Sequence, residues 1–113
     1  MPSFDRGDVV VVPFPFVDAS LAKRRPALIL SGRSFNRENG HLLCAMITTA
    51  THSRWPSDHP IADLDSAGLA HASVVRFKLF TLPDHLIVRA LGRMAGLDWK
   101  PVEAILSRVF FAA

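Results

Sequence analysis

The 113-residue sequence predicts a small, mainly β barrel with one C-terminal helix packed on it, and three observations predict it. Most apolar runs are short, rich in Val, Ile and Leu, and bounded by Gly, Pro, Asn or Asp, the pattern of strands and turns. Only residues 99–111 carry a sustained apolar stripe at helical spacing. Half of the residues are hydrophobic (50%) and 20% are charged, which suits one core in one domain spanning 1–113.

The first run, Asp8 to Phe14, is β-branched and too short for a helix, so it predicts a largely buried strand with Pro13 tolerated at its end. Pro15 to Arg24 then forms a loop longer than the usual connection, a kind that often carries function. Pro26 to Ser31 is a second strand, closed by Gly32. Arg33 to Gly40 is polar, and Asn39-Gly40 predicts a turn before the third strand, His41 to Thr48. In that strand Leu42, Cys44 and Met46 share a face. Thr48 to Pro60 is a loop that collects hydroxyls, two His, an Arg and a Trp. Ile61 to Leu64 predicts a short strand, with a turn at Asp65 to Gly68. Ser73 to Phe80 and His85 to Arg93 are further strands, parted by Pro83-Asp84. In the helix, Asp98 is the expected N-cap and Pro101 lies in the first turn. Val102, Ile105, Leu106, Val109 and Phe110 form the apolar face.

Several function classes fall away on composition. A chain this apolar offsets its ordering entropy and is not disordered. A lone cysteine supports neither a disulfide framework nor a multi-cysteine zinc site, and it suits a reducing cytosol. Asp58, His59, Asp63 and Asp65 match no common zinc or calcium spacing and predict a turn. The N-terminus lacks the basic and then apolar order of a signal peptide, and no apolar run is long enough to span a membrane, so a cytoplasmic location is expected. The formal net charge is +3, and ten of the 13 cations are Arg, whose planar fork matches phosphate bidentately. Lys23, Arg24, Arg25, Arg33 and Arg37 lie in a stretch without an acid.

The order of these pieces is specific. Gly7-Asp8-Val9-Val10 opens the first strand and Pro13-Phe14 ends it. Lys23-Arg24-Arg25-Pro26-Ala27-Leu28-Ile29-Leu30-Ser31 follows, then a strand ending in Ile47-Thr48-Thr49. Gly68-Leu69 leads to Ser73-Val74-Val75-Arg76, and Phe80-Thr81-Leu82 and Leu91-Gly92-Arg93-Met94 precede the helix. Over roughly residues 6–111 this succession resembles the MazF/PemK family of toxin endoribonucleases from bacterial type II toxin–antitoxin pairs. The resemblance implies an SH3-like/CcdB-like barrel of MazF type and a homodimer with RNA in a groove between protomers. It also implies a small acidic antitoxin as partner. The family cuts single-stranded RNA, mostly messenger RNA, at short motifs without a metal or other cofactor. The 2′-hydroxyl attacks its own phosphate and leaves a 2′,3′-cyclic phosphate and a 5′-hydroxyl.

On this resemblance the catalytic residues are Arg25, immediately before the proline of the second strand, and Thr48, at the end of the third. The chemistry agrees with these residue types. A guanidinium can stabilise charge on the phosphate and hydrogen-bond the leaving oxygen, but its high pKa makes it a poor base. A threonine hydroxyl can hold a phosphate oxygen or the 2′-hydroxyl. Read alone, Arg25 is also an ordinary surface cation and Thr48 an ordinary strand-end hydroxyl. Lys23 and Arg24 are expected to track phosphate, and Ser20 and Thr49 to add hydroxyl contacts. His52 is a candidate general base or a solvated loop histidine. Phe16 and Trp55 are candidates to stack on bases or to pack inward, whereas Phe14 and the thiol of Cys44 read as core. Two departures from the family pattern bear on base recognition: residues 17–22 contain no Gly, and Phe77-Lys78 lacks the acid or Gln often found there. Two other readings compete. One is a CcdB-like toxin that binds a protein such as DNA gyrase, although this chain ends Phe110-Phe111-Ala112-Ala113 rather than Trp-Gly-Ile. The other is a catalytically silent RNA-binding barrel.

Overall fold

In the computed structural model, residues 3–14, 23–49 and 54–112 are described. Six strands form one antiparallel sheet: β1 (Asp8–Phe14), β2 (Lys23–Ile29), β3 (His41–Thr49), β4 (His59–Pro60), β5 (Ser73–Pro83) and β6 (Arg89–Arg93). Their order across the sheet is β4-β5-β3-β2-β1-β6, a curled half-barrel. Three α-helices accompany it among the described residues: α1 (Arg33–Asn39), α2 (Leu64–Ala67) and α3 (Gly96–Phe111).

The unbroken Val9 to Val12 run has a simple cause: apolar groups cover both faces of the sheet, so alternate side chains enter different cores. Val9, Leu28, Ala45, Ile47 and Val75 face α3, where Val102 is buried and Trp99, Ile105 and Leu106 pack. Val10, Val12, Ala27, Ile29, Leu42, Cys44 and Leu82 fill the other face, with Phe4, Phe80, Leu86 and Ile87 around them. Cys44 is fully buried, and desolvation pushes its thiol up to about 12, so the expected inert core thiol is found.

Two bulges bend the sheet. Ala45 pairs with Leu79 but Met46 pairs with Arg76, which leaves Phe77 and Lys78 extra on β5. Val9 pairs with Gly92 and Val10 with Ala90, which leaves Leu91 extra on β6. The β6 bulge is where α2 lands. Gly68, at φ +73°, ends α2 against the Leu91 carbonyl, a place that no Cβ could occupy.

Several local expectations differ from the structure. The polar segment expected as a turn is α1, and Gly40 at φ +62° is its left-handed C-terminal residue. Asn-Gly therefore marks a helix stop there rather than a hairpin. Asn36 fixes α1 by donating through Nδ2 to the carbonyls of Phe4 (3.0 Å) and Ser31 (3.1 Å). Where a strand over Ile61 to Leu64 is expected, β4 lies slightly earlier and Asp63 caps α2, accepting from the Ser66 N–H at 3.0 Å. The expected strand His85 to Arg93 is a 3-10 turn at Asp84–Leu86 followed by the shorter β6. The final helix starts at Gly96, so Asp98 is not its cap.

Asp98 has a longer reach. Its side chain is fully buried and accepts from the N–H groups of Ala62 (2.8 Å) and Asp63 (2.9 Å) and from His59 Nε2 (2.9 Å). Burial alone would raise its pKa. The two backbone donors and His59 outweigh it and hold the carboxyl below the usual range. This one side chain ties α3 to the segment between β4 and α2.

Candidate functional site

The pairing of β2 with β3 stops where the sequence removes a donor. Their ladder runs through Ile29/Cys44, Leu28/Ala45 and Ala27/Met46, and the next residue of β2 is Pro26, which has no N–H. Beyond that point β2 stays on β1 as far as the Phe14/Lys23 pair, while β3 stays on β5 as far as Thr49/Ser73. The two strands part and leave a cleft of about 190 Å³, lined by Arg24, Arg25, Pro26, Ile47, Thr48, Thr49 and Ser73.

Arg25 and Thr48 meet there. Continuing the register past Ala27/Met46 sets Arg25 opposite Thr48. By strand alternation both lie on the face of Ala27 and Cys44. The electrostatics of the cleft are one-sided, because its described lining contains two arginines and no carboxylate. Arg25 is half-buried, and its Nε is buried without a hydrogen-bond partner. A buried charged donor left unpaired is costly, so this atom suits an anion with oxygens to share. Phosphate has that chemistry, and guanidinium plus hydroxyl can grip two of its oxygens.

The other predicted site residues fall into three groups. Arg24 and Thr49 line the cleft, both exposed. Lys23 is exposed on β2 but lies outside the cleft's lining, opposite Phe14. Phe16, Ser20 and His52 lie outside the described residues. Trp55 lines a second, larger cavity of about 500 Å³, which shares Ser73 with the first. Phe14 packs 5.8 Å from Phe80, and the Lys78 ammonium, presented by the β5 bulge, lies 5.8 Å from the Phe14 ring centre.

Sequence reasoning missed Ser73, Asp58 and Arg76 as members of this region. Arg76 forks onto Asp58, with Nε 3.1 Å from Oδ1 and Nη2 2.8 Å from Oδ2. Asp58 in turn closes a turn on Trp55, accepting from its N–H at 3.0 Å and donating its own N–H to the Trp55 carbonyl at 3.0 Å. The Arg76 guanidinium lies 5.3 Å from the centre of the Trp55 ring. Hydrogen bonding to Arg76 is the main cause that holds the Asp58 carboxyl below its usual range. The turn at Asp58 was legible in the sequence. Its pairing with Arg76, 18 residues away, had no local signal.

Comparison with known proteins completes the description. Residues 5–110 match the model of the family described as PemK-like, MazF-like toxin of type II toxin-antitoxin system. No curated protein matches the chain. Solved structures share the fold at low identity. A MazE–MazF crystal structure from Deinococcus radiodurans (Form-III) is 18% identical with a TM-score of 0.78, covering 99% of this chain and 100% of that one. MazF alone from the same organism (Form-I) is 20% identical with a TM-score of 0.76, covering 97% and 98%. An endoribonuclease in complex with its cognate antitoxin, from a mycobacterial species, is 18% identical with a TM-score of 0.75, covering 97% and 95%.

Proposed function

The chain belongs to the PemK-like, MazF-like family of toxins of type II toxin–antitoxin systems, and from that premise we propose that it is a metal-independent endoribonuclease acting on single-stranded messenger RNA in the cytoplasm. The observation that carries the reading is the cleft, with no acid among its described lining residues, in which Arg25, with an unpaired buried Nε, faces Thr48. Those residues suit one phosphodiester.

The reaction needs no added nucleophile. The 2′-oxygen forms a bond to the adjacent phosphorus as the bond to the 5′-oxygen breaks in line, giving a 2′,3′-cyclic phosphate and a 5′-hydroxyl. Negative charge grows on the non-bridging oxygens, and the Arg25 fork stabilises it where water is partly excluded. Arg25 also hydrogen-bonds the departing 5′-oxygen, which takes up a proton from solvent water as the 2′-hydroxyl proton passes to the base. It does not accept the 2′-hydroxyl proton, because a guanidinium stays charged at any working pH. His52 is our candidate for that base. Thr48 holds a phosphate oxygen or the 2′-hydroxyl at the attack angle. Arg24 and Lys23 track neighbouring phosphates, with Thr49, Ser20 and Phe16 contributing further contacts. Two chains share one groove as a homodimer, and a small acidic antitoxin neutralises the toxin by covering the basic cleft. The family's pairing of toxins with antitoxins and the solved MazE–MazF complexes support that partner class.

The test is incubation of purified protein with a long single-stranded RNA in EDTA, with the new ends identified chemically. Wild-type protein yields cyclic-phosphate ends at recurring short motifs. Thr48→Val keeps the shape and loses the hydroxyl, and cutting falls about 10²- to 10³-fold, as for loss of one positioned donor. Intact RNA at high enzyme excess, or equal cutting by Arg25→Ala, overturns the assignment.

A further inference from the structure

Resting on the ribonuclease reading, we propose that the cavity beside the Arg25/Thr48 cleft is a nucleobase pocket, in which Trp55 stacks on an unpaired base next to the reacting phosphate while Asp58 and Arg76 position the indole.

Three features support it. The cavity is about 500 Å³, within the range of roughly 300–1,000 Å³ common for small-ligand pockets, and Ile61 and Leu64 contribute apolar walls. It adjoins the phosphate cleft through Ser73, which lines both, so one nucleotide can place its phosphate in one and its base in the other. Charge also favours a nucleotide over an apolar ligand. Arg54 stands in the lining, and the only acid among the described lining residues, Asp58, is already paired with Arg76.

The stacking surface is prepared in advance. Trp55 is 39% exposed, so part of this large apolar side chain is open to a guest. It does not wave freely, because its backbone is closed in a turn by Asp58 and its ring is faced by the Arg76 guanidinium. The Arg76 guanidinium lies 5.3 Å from the centre of the Trp55 ring, and Trp55 itself lines the cavity. Fixing the ring before binding removes part of the ordering cost of association. A base stacking here meets an indole already held in place, and cation and base are both attracted to the same π-system. Because every base has a π-face, the stack selects single-stranded over paired nucleic acid more than one base over another.

The probe is an eight-nucleotide mixed-sequence 2′-O-methyl RNA, which cannot be cut by 2′-attack, alongside an abasic strand with the same number of phosphates. Binding is read by tryptophan fluorescence in full-length Trp99→Phe protein, where Trp55 is the remaining tryptophan. The base-bearing strand is expected to quench Trp55 and to bind more tightly than the abasic strand. Trp55→Ala then lowers affinity for the base-bearing strand about 5- to 150-fold, the range of one base–aromatic stack, and leaves abasic binding unchanged. Trp55→Phe recovers most of the loss. Arg76→Met reduces the quench amplitude and the base-dependent part of the affinity, with abasic binding again unchanged. Equal binding of the two strands by the parent protein overturns the inference, as does quenching by an acidic peptide but by neither strand. Failure of the ribonuclease reading looks different. Base-dependent quenching with no RNA cutting in EDTA removes the enzyme and keeps the pocket. RNA cutting with the same KM in Trp55→Ala removes the pocket and keeps the enzyme.

Discussion

Arg25 holds a buried Nε that the protein leaves unbonded, a local sacrifice of stability of the kind tolerated where binding needs it. Arg25→Met tests this at the scale of one side chain. Methionine has a similar reach and no donor to orphan, so the variant is expected to gain about 1 kcal/mol in urea unfolding. It is also expected to lose RNA cutting at least 10²-fold. Loss of stability instead would show that the guanidinium is held by bonds within the fold. Arg25 and Thr48 were legible as a pair in the order of motifs along the chain. Their facing one another was not, since it depends on a β2/β3 register set by the core pairs Leu28/Ala45 and Ile29/Cys44. Trp55 was legible as an aromatic in an unusual loop. Its fixed attitude depends on Arg76, 21 positions on and on strand β5, and no local pattern encodes that.

Elements carry their own predictions. The α2 segment sits on the β6 bulge because Gly68 admits the Leu91 carbonyl and Gly92 admits the backbone at Ser66. Gly68→Ala combines a left-handed φ with a backbone collision, and a loss of more than about 2 kcal/mol is expected in denaturant unfolding. A smaller loss would mean that α2 can lift off β6 cheaply. The helix α3 depends on Asp98 in a comparable way. Asp98→Asn replaces an acceptor-only group by one whose amide faces backbone N–H donors, and about 3 kcal/mol is expected to be lost at neutral pH. The sign of the pH effect follows from the depressed carboxyl. Its contribution is complete above the unfolded value of about 4 and disappears as pH falls through the lower folded value. Acid titration of stability should therefore be steep in the wild type below about pH 4 and flatter in Asp98→Asn. Parallel curves would assign acid sensitivity to other carboxylates. Helix ends were the least legible parts of the chain: Asp98 has the composition of a cap, and only long-range contact turned it inward.

At the scale of the whole molecule, charge placement matters more than charge total. The net +3 is modest, but Arg24 and Arg25 line one cleft whose described lining holds no acid, and Lys23 lies beside them on β2. Three phosphate contacts on a single strand predict a slope of about −2 in log affinity against log salt, at roughly −0.7 per contact. Lys23→Ala or Arg24→Ala should each flatten it by about 0.7, whereas an exposed arginine on α1, Arg37→Ala, should leave it alone. Fluorescence anisotropy with the uncut 2′-O-methyl strand measures all three. Equal effects at the three positions would point to a diffuse surface field instead of a track.

The sequence by itself determined the class of fold, since short β-branched runs and one amphipathic stripe leave few ways to bury so much apolar surface. It also determined the family and the residue types that a phosphate site requires, because these lie in linear order. The tertiary structure decided which of them lie together. Pro26 ends a ladder only because β3 is its neighbour, and the ends of β2 and β3 then diverge around Arg25 and Thr48. Asp58, Arg76 and Trp55 become a unit only when β5 returns beside β4. Side-chain geometry across a sheet is set by register and bulges, which many distant contacts fix jointly. No stretch of neighbouring residues contains that information.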